Sequence, residues 1–205
     1  TLLNPACIKN IVRHYQDPKT GGVAGEKKVI ATQNSSVEGT GEGLYWKYES
    51  FLKKLDSDLY TVVGAAGELF SIRTELYRPV ETNVLLDDFI ISLRICQQGY
   101  RIAYEPEAFA SEAPSASLAE EQKRKIRISA GAFQSIVMLK ELLNFFKTPL
   151  LSFQYISHRV LRWTLCPVFL PLILISNIIL VAKSAGALYS IILVAQLLFY
   201  ASALA

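Results

Sequence analysis

The sequence predicts an α/β domain followed by a membrane-attached tail, and three observations support this prediction. Short β-rich runs alternate with helical patterns between residues 4 and 104, which is typical of a layered α/β domain. Two charge-free runs follow at 163–182 and 185–205, and each has the roughly 20 residues that cross a bilayer as a helix. Between the two regions, residues 128–146 are amphipathic at helical period.

Each predicted element of the first region has a local signal. Asn4-Pro5 predicts a helix with Asn4 as N-cap and Pro5 at its first position, ending before Asp17-Pro18. Residues 34–43 are polar and Gly-rich, which predicts a loop. Strands are predicted at 23–32, 60–63, 69–72 and 100–104, and further helices at 44–55 and 89–98.

Composition and charge exclude several classes of function. A net charge of +3 is too small to indicate nucleic-acid binding, and the basic residues concentrate at 123–127 and 158–162, which favours a membrane surface. Cys7, Cys96 and Cys166 are scattered, with no histidine at ligand spacing, so neither a zinc site nor a disulfide framework is indicated. This cysteine pattern fits a reducing compartment. No Gly-rich phosphate-binding loop is present in the sequence.

The flanks of the apolar runs predict their topology. Only Lys183 and Ser184 separate the two runs, so the runs should form a hairpin. His158, Arg159 and Arg162 precede the first run, and the positive-inside rule then places the N-terminal region in the cytoplasm. Two buried helices of a soluble protein are the alternative interpretation.

Two features of this region leave more than one structural role open. Asn177 and Gln196 are the polar residues inside the runs, and they are expected to hydrogen-bond each other or further helices. Residues 128–146 either lie in the membrane interface or pack on the core of the soluble domain, and the pattern alone fits both.

Adjacent carboxylates open the predicted helix at 89–98. Asp87 and Asp88 follow Leu85-Leu86. One interpretation is structural, because aspartate at a helix N-terminus caps free amides and favours the helix dipole. The other is catalytic: one carboxylate takes a proton from a hydroxyl nucleophile, and the like-charged neighbour raises its pKa towards neutrality.

The stretches around the acidic pair favour the catalytic interpretation, because together they resemble a known family. GAAGELFSIR at 64–73, the stretch 85–114 and the stretch 120–134 resemble the family 2 glycosyltransferases, which have a GT-A fold and include cellulose, chitin, hyaluronan and bacterial exopolysaccharide synthases. In that family the second residue of an acidic pair at a helix start is the general base, and a Gly-aromatic pair follows. Asp88 matches the base, and Gly99-Tyr100 lies at the expected spacing.

The resemblance also implies binding residues. The family's Gln-x-x-Arg-Trp element, which contacts the donor diphosphate or the acceptor, falls at 124–128, where Arg127 matches, Arg124 replaces Gln and Ile128 replaces Trp. Arginine suits phosphate oxygens, although a basic patch facing anionic lipid is the alternative. The loop Gly64-Ala65-Ala66-Gly67 resembles the small-residue turn beneath the acceptor sugar.

The metal ligands are expected elsewhere in the protein. Asp56-Ser57-Asp58 fits the Asp-x-Asp pattern of a nucleotide-diphosphate metal site. The resemblance places the family's Asp-x-Asp immediately before Thr1, so Asp56 and Asp58 are interpreted as a solvated linker. The chain is then the C-terminal half of a GT-A (nucleotide-diphospho-sugar transferase) domain, and this fragment alone is expected to be inactive.

The resemblance implies a domain plan and a reaction. Residues 1–127 form the C-terminal part of the catalytic domain, 128–158 an amphipathic interfacial region, and 159–205 a two-span transmembrane hairpin. The implied reaction is inverting transfer from a UDP-sugar to a glycan or lipid-linked acceptor, assisted by Mg²⁺ or Mn²⁺, in cell-surface polysaccharide synthesis. The implied location is the bacterial inner membrane, with the catalytic part in the cytoplasm and no nucleic-acid partner. A catalytically inert scaffold subunit of a polysaccharide assembly complex is the alternative.

Overall fold

A computed structural model describes residues 2–29, 37–65, 67–112 and 118–204. The chain divides into two compact units, Thr1–Arg159 and Val160–Ala205. The first unit contains the whole sheet, and the second contains the apolar runs.

A mixed four-stranded sheet with the order β1-β4-β2-β3 forms the centre of the first unit. Strands β2 (Thr20–Val29) and β4 (Arg101–Glu112) pair in parallel at its middle. The short strands β1 (Leu2–Leu3) and β3 (Phe70–Ile72) pair antiparallel at its two edges. Because parallel neighbours need a long crossover connection, helices separate β2 from β4 in the chain.

Among the described residues of the first unit, five α-helices accompany the sheet. They are α1 (Cys7–Val12), α2 (Val37–Leu59), α3 (Asp87–Gln97), α4 (Leu118–Met138) and α5 (Pro149–Tyr155). Short 3₁₀ turns lie at Arg13–Gln16, Thr74–Leu76 and Lys140–Leu143, and a π-helical turn, Ile156–Val160, follows α5. The predicted α/β class is therefore confirmed.

The buried face of α3 joins the sheet to the segment before β3. Ile90 and Leu93 on α3 and Ile102 on β4 are completely buried, as is Val63 after α2. Burying an aliphatic side chain of this size contributes about 1.5–3 kcal/mol. The start of α3 is therefore firmly anchored on the sheet.

Three local predictions in the first unit are wrong. Helix α2 already begins at Val37, inside the predicted loop, because glycine lowers helix propensity without preventing helical backbone. Residues 60–63 form no strand; Val62 N–H instead donates a single hydrogen bond to the Ile102 carbonyl, 3.0 Å away. Asn4 does not cap α1, because its side chain bonds the backbone of Glu107 and Phe109 on β4.

The amphipathic stretch at 128–146 is neither purely an interfacial helix nor purely a core-facing helix. Its first half belongs to α4, which ends at Met138, and Leu139 and Leu142 are buried in the first unit. Other apolar side chains point to solvent: Phe133, Val137 and Phe146 are 55%, 72% and 98% exposed. One face packs on the domain, as a core-facing helix would, and another is uncovered.

The second unit consists of α6 (Leu161–Ala182) and α7 (Ala187–Leu204). One helical run in the described residues, Pro149–Ala182, is long and apolar enough to cross a membrane; its best window has a mean hydropathy of 2.5 and is 6% buried. The apolar part of α7, Ala187–Ser202, is shorter than such a span. The structure therefore supports one span and does not confirm the predicted second one.

The polar residues of the apolar runs do not bond each other. With its amide oriented to satisfy both partners, the buried Asn177 donates to the Tyr189 carbonyl and accepts from Leu193 N–H, at 3.3 and 3.0 Å. Gln196 Nε2 lies 3.2 Å from the hydroxyl of Tyr200 within α7. Asn177 thereby links α6 to the backbone of α7, which is neither of the two predicted alternatives, because α7 is the helix that carries Gln196.

Candidate active site

Asp88 lies in the first turn of α3, where two backbone N–H groups donate to its carboxylate. Helix α3 begins at Asp87, and Leu86 at the N-cap position offers no side-chain hydrogen bond. Asp88 Oδ1 accepts from the N–H of Phe89 at 2.8 Å, and the carboxylate also accepts from the N–H of Gly67. The aspartate therefore satisfies helix and loop amides together, which is more than the structural interpretation of a simple cap requires.

The surroundings of Asp88 make it a stronger base than an exposed aspartate. Burial raises the pKa of Asp88, and the negative charges of Asp87 and Glu68 raise it further, while the N–H groups of Phe89 and Gly67 lower it. The net change in pKa is upward. A carboxylate with a raised pKa holds a proton more strongly, as a general base must when it accepts one from a hydroxyl. The predicted effect of Asp87 is present, but burial is the larger cause.

The small-residue loop at 64–67 packs directly on the start of α3. Gly64 has a φ of +84°, a backbone conformation that favours glycine. The N–H of Ala65 donates to Ser92 Oγ at 3.1 Å, and a Cβ on Gly67 would lie 3.2 Å from Asp88 Oδ2. The structure therefore brings Gly67 to the predicted base and Gly64 and Ala65 to its neighbours Phe89 and Ser92 on α3; Ala66 lies outside the described residues.

Helix α4 holds the segment that precedes the acidic pair. Gln134 Nε2 donates to the Asn83 carbonyl at 2.9 Å, and Gln134 Oε1 accepts from Leu85 N–H at 2.9 Å. Gly131 allows the close approach, because a Cβ there would lie 2.6 Å from Leu86 Cγ. Sequence reasoning missed both residues; an isolated glycine inside a helical pattern was the available signal.

Arg124 and Arg127, the predicted diphosphate-binding pair, lie on α4 before Gly131. Helical spacing puts Arg127 one turn from Gly131 on the same face, towards the start of α3. Arg127 is exposed, and it forms no ion pair with any described residue. Arg124 is engaged differently: its Nε and Nη2 each lie 2.8 Å from Glu121 oxygens. Arg127 is thus the more available cation for an incoming anion.

Asp56 is not part of a solvated linker, and that interpretation is wrong. Asp56 is in the last turns of α2 and is only 5% exposed. Its Oδ1 accepts from Gln154 Nε2 at 2.9 Å, and His158 Nδ1 lies 2.8 Å from the carboxylate. Asp58 in the same helix is exposed, as predicted. The alternation at Asp56-Ser57-Asp58 thus reflects the inner and outer faces of a helix.

The described residues do not furnish a divalent-metal site by themselves. No three His, Cys, Asp or Glu side chains in the described ranges cluster at ligand distance. The carboxylate of Asp56 is taken up by Gln154 and His158, and that of Asp88 accepts backbone N–H groups. A hard cation needs several oxygen ligands, and the described residues do not bring such a set together.

A partly buried carboxylate at a helix start lies against a glycine turn on a mixed sheet, and the fold that carries it has a counterpart among solved structures. The chain is similar to the structure of the mannosyltransferase PcManGT from Pyrobaculum calidifontis in complex with GDP-Man and Mn²⁺, with a TM-score of 0.59 and 20% identity. The match covers 98% of this chain and 57% of that one, so the chain spans little more than half of the neighbour's length.

The family follows from the sequence itself. The family model described as "Glycosyl transferase family group 2" matches residues 1–203, and the chain belongs to this family. The resemblance seen in the motifs is therefore confirmed. None of the curated proteins compared matches the chain.

Proposed function

We propose that the protein containing this chain is an inverting glycosyltransferase that uses Asp88 as its general base. In the proposed reaction, Asp88 takes the proton of an acceptor hydroxyl as that oxygen attacks the anomeric carbon of a nucleotide-sugar, and the nucleoside diphosphate leaves from the opposite side. The observation that carries the proposal is the carboxylate of Asp88, which is raised in pKa by burial and lies against the glycine turn. Family membership supplies the reaction class.

The donor and the acceptor are proposed as chemical classes. We propose a UDP-sugar donor and a glycan or lipid-linked acceptor, in cell-surface polysaccharide synthesis. The similarity to a structure bound to GDP-Man and Mn²⁺ supports a nucleotide-sugar and a divalent cation in general. Gly64, Ala65, Ala66 and Gly67 would form the floor beneath the acceptor, and Arg127, aided by Arg124, would face the diphosphate. The metal would be held by residues other than those described.

We also propose that the protein is an integral protein of a bacterial inner membrane, with its catalytic part in the cytoplasm. The apolar run that includes α6 has the length for a span, and almost none of its most apolar window is buried. The uncovered Phe133, Val137 and Phe146 of the first unit would lie in the membrane interface. The regions 1–127, 128–158 and 159–205 would then correspond to catalytic, interfacial and membrane parts, except that Arg159 itself belongs to the first compact unit.

Turnover of an Asp88→Asn variant tests the catalytic proposal. The whole protein in membranes is given UDP-sugars and GDP-mannose, each with Mg²⁺ or Mn²⁺. We expect transfer from one donor, and a loss in kcat of roughly 10²–10⁴-fold in the variant with nucleotide affinity retained. Asp58→Asn is the matched control, because Asp58 is an exposed aspartate of the same unit, and it should leave kcat unchanged.

Two results would contradict the proposal. Unchanged turnover in Asp88→Asn would exclude Asp88 as the base. A wild-type protein that is folded but inactive with every donor would favour the inert scaffold subunit. One observation favours this second candidate, because Arg124, at the position of the family's Gln, is engaged by Glu121 within its own helix.

A further inference from the structure

Arg159, at the end of the first unit, reaches back to the loop beneath the proposed acceptor site. It lies in the π-helical turn Ile156–Val160. Its Nε donates to the carbonyl of Val63 at 3.0 Å, and its Nη1 lies 3.2 Å from Glu49 Oε1. The side chains of Arg159 and Glu49 are only 18% and 10% exposed. The arginine of a mostly buried ion pair therefore also donates to the carbonyl of the residue just before Gly64.

The π-helical turn and helix α5 also contact Phe89, the residue that follows Asp88. The ring of Phe89 lies 6.4 Å from the ring of Tyr155 on α5, and the guanidinium carbon of Arg159 lies 5.9 Å from the Phe89 ring centroid. On its other side, Phe89 abuts Gly64, where an added Cβ would come within 2.1 Å of Phe89 Cδ2. Arg159 therefore contacts both the glycine loop, through Val63, and the start of α3, through Phe89.

Contacts from two further residues, His158 and Gln154, connect the turn that carries Arg159 to Asp56 on α2. His158 Nδ1 lies 2.8 Å from the buried carboxylate of Asp56. Gln154 Nε2 donates to both the carboxylate and the carbonyl of Asp56, each at 2.9 Å. Charged groups of this kind lose several kcal/mol of solvation on burial, so they persist only where partners are well placed. The π-helical turn is what presents His158 and Arg159 consecutively to α2 and to the glycine loop.

We propose that Arg159 is a positioning residue for glycosyl transfer, holding the loop at 64–67 and Phe89 in the register that sets the acceptor beside Asp88. The inference rests on the proposed function. Arg159 acts through Val63 and Phe89 and needs no contact with the sugar. A planar guanidinium can donate to a carbonyl with Nε, bond a carboxylate with Nη1 and lie near an aromatic ring, whereas a lysine ammonium cannot reproduce this geometry.

The test combines a structural readout with a kinetic one on the whole protein. Amide hydrogen exchange is followed in peptides that cover 60–70 and, for comparison, β2. In Arg159→Met we expect exchange at 60–70 to accelerate roughly 10- to 100-fold, the effect of losing hydrogen bonds from an ionised group, while β2 is unchanged. We expect kcat to fall with nucleotide affinity retained, and Arg159→Lys to recover part of both.

Arg94→Met is the matched control. Arg94 is also ion-paired, to Glu81 at 3.0 Å, but it lies towards the end of α3 away from Asp88. It should alter neither the exchange at 60–70 nor kcat. Should Arg159→Met not be recovered folded, Glu49→Gln keeps the Val63 hydrogen bond and is expected to produce a smaller change in the same peptide.

Each outcome of the exchange and kinetic measurements either supports or overturns the positioning role of Arg159. Faster exchange at 60–70 together with a lower kcat supports it. Unchanged exchange in both Arg159→Met and Glu49→Gln overturns it, and so does faster exchange with full turnover, because the contact would then have no role in transfer. A wild-type protein that is folded but inactive with every donor overturns the proposed function instead, while the exchange data still decide whether Arg159 orders the loop.

Discussion

Gly64 and Phe89 are in direct contact: a Cβ built on Gly64 would lie 2.1 Å from Phe89 Cδ2. Gly64 also adopts a φ of +84°. Two independent features therefore disfavour a side chain at position 64: the positive φ of the backbone and the contact with the Phe89 ring. Because Phe89 follows Asp88 in the chain, the packing of Gly64 on Phe89 also helps to set the position of the proposed base.

Substitution of Gly64 is expected to damage both stability and transfer. Backbone strain alone in Gly64→Ala should lower the free energy of unfolding by about 1–3 kcal/mol, and displacement of Phe89 adds to this loss. Gly99→Ala separates the two effects, since Gly99 has a φ of +91° but no atom within 4 Å of an added Cβ. Denaturant unfolding in detergent measures the difference. Equal losses in the two variants would show that the Phe89 contact is unimportant.

The pH dependence of transfer should report the surroundings of Asp88. The base must be ionised, so kcat/KM falls as pH decreases through the pKa of Asp88, which burial raises above the usual aspartate range. Asp87→Asn removes a negative charge that raises this pKa. The acidic limb of the pH profile should therefore move to lower pH in Asp87→Asn and stay in place in Asp58→Asn. A shift to higher pH would contradict the assigned electrostatics.

Gln134 should contribute to turnover because it holds the segment before the acidic pair. Gln134→Leu removes the hydrogen bonds to Asn83 and Leu85, each worth about 0.5–1.5 kcal/mol, and releases the segment before Asp87. We expect a lower kcat together with a modest loss of stability. Gln122→Leu, an exposed glutamine of the same helix, is the control for the substitution itself. If both variants keep full turnover, α4 does not position the acidic pair.

Thiol labelling tests the proposed topology. Cys7 and Cys96 are buried and Cys166 is exposed, so all three are replaced before single cysteines are introduced. With a membrane-impermeant maleimide on intact cells, Lys183→Cys in the turn after α6 should react from outside. Lys125→Cys on α4 should react only after permeabilisation. The opposite pattern would reverse the proposed orientation, and reaction of both positions only after permeabilisation would exclude a span at α6.

The sequence by itself determined the features that depend on near neighbours. Alternating helix and strand signals predicted the α/β class, and the acidic pair was placed correctly at the start of α3. The absence of charge from 163 to 182 predicted the apolar run of α6. Periodicity, propensity and motif spacing act over a few residues, so they can be recognised without knowledge of the fold.

Only the tertiary structure decided which side chains surround Asp88 and which charges are buried. Asp56 and Asp58 look alike in the sequence, yet only Asp56 is buried, because His158 and Gln154 approach it from about 100 positions further along the chain. Arg159 reaches Val63 across a similar gap of 96 positions, and Gln134 reaches Leu85 across 49. A contact of this kind exists only once the sheet has brought distant helices together, and no local pattern encodes that approach.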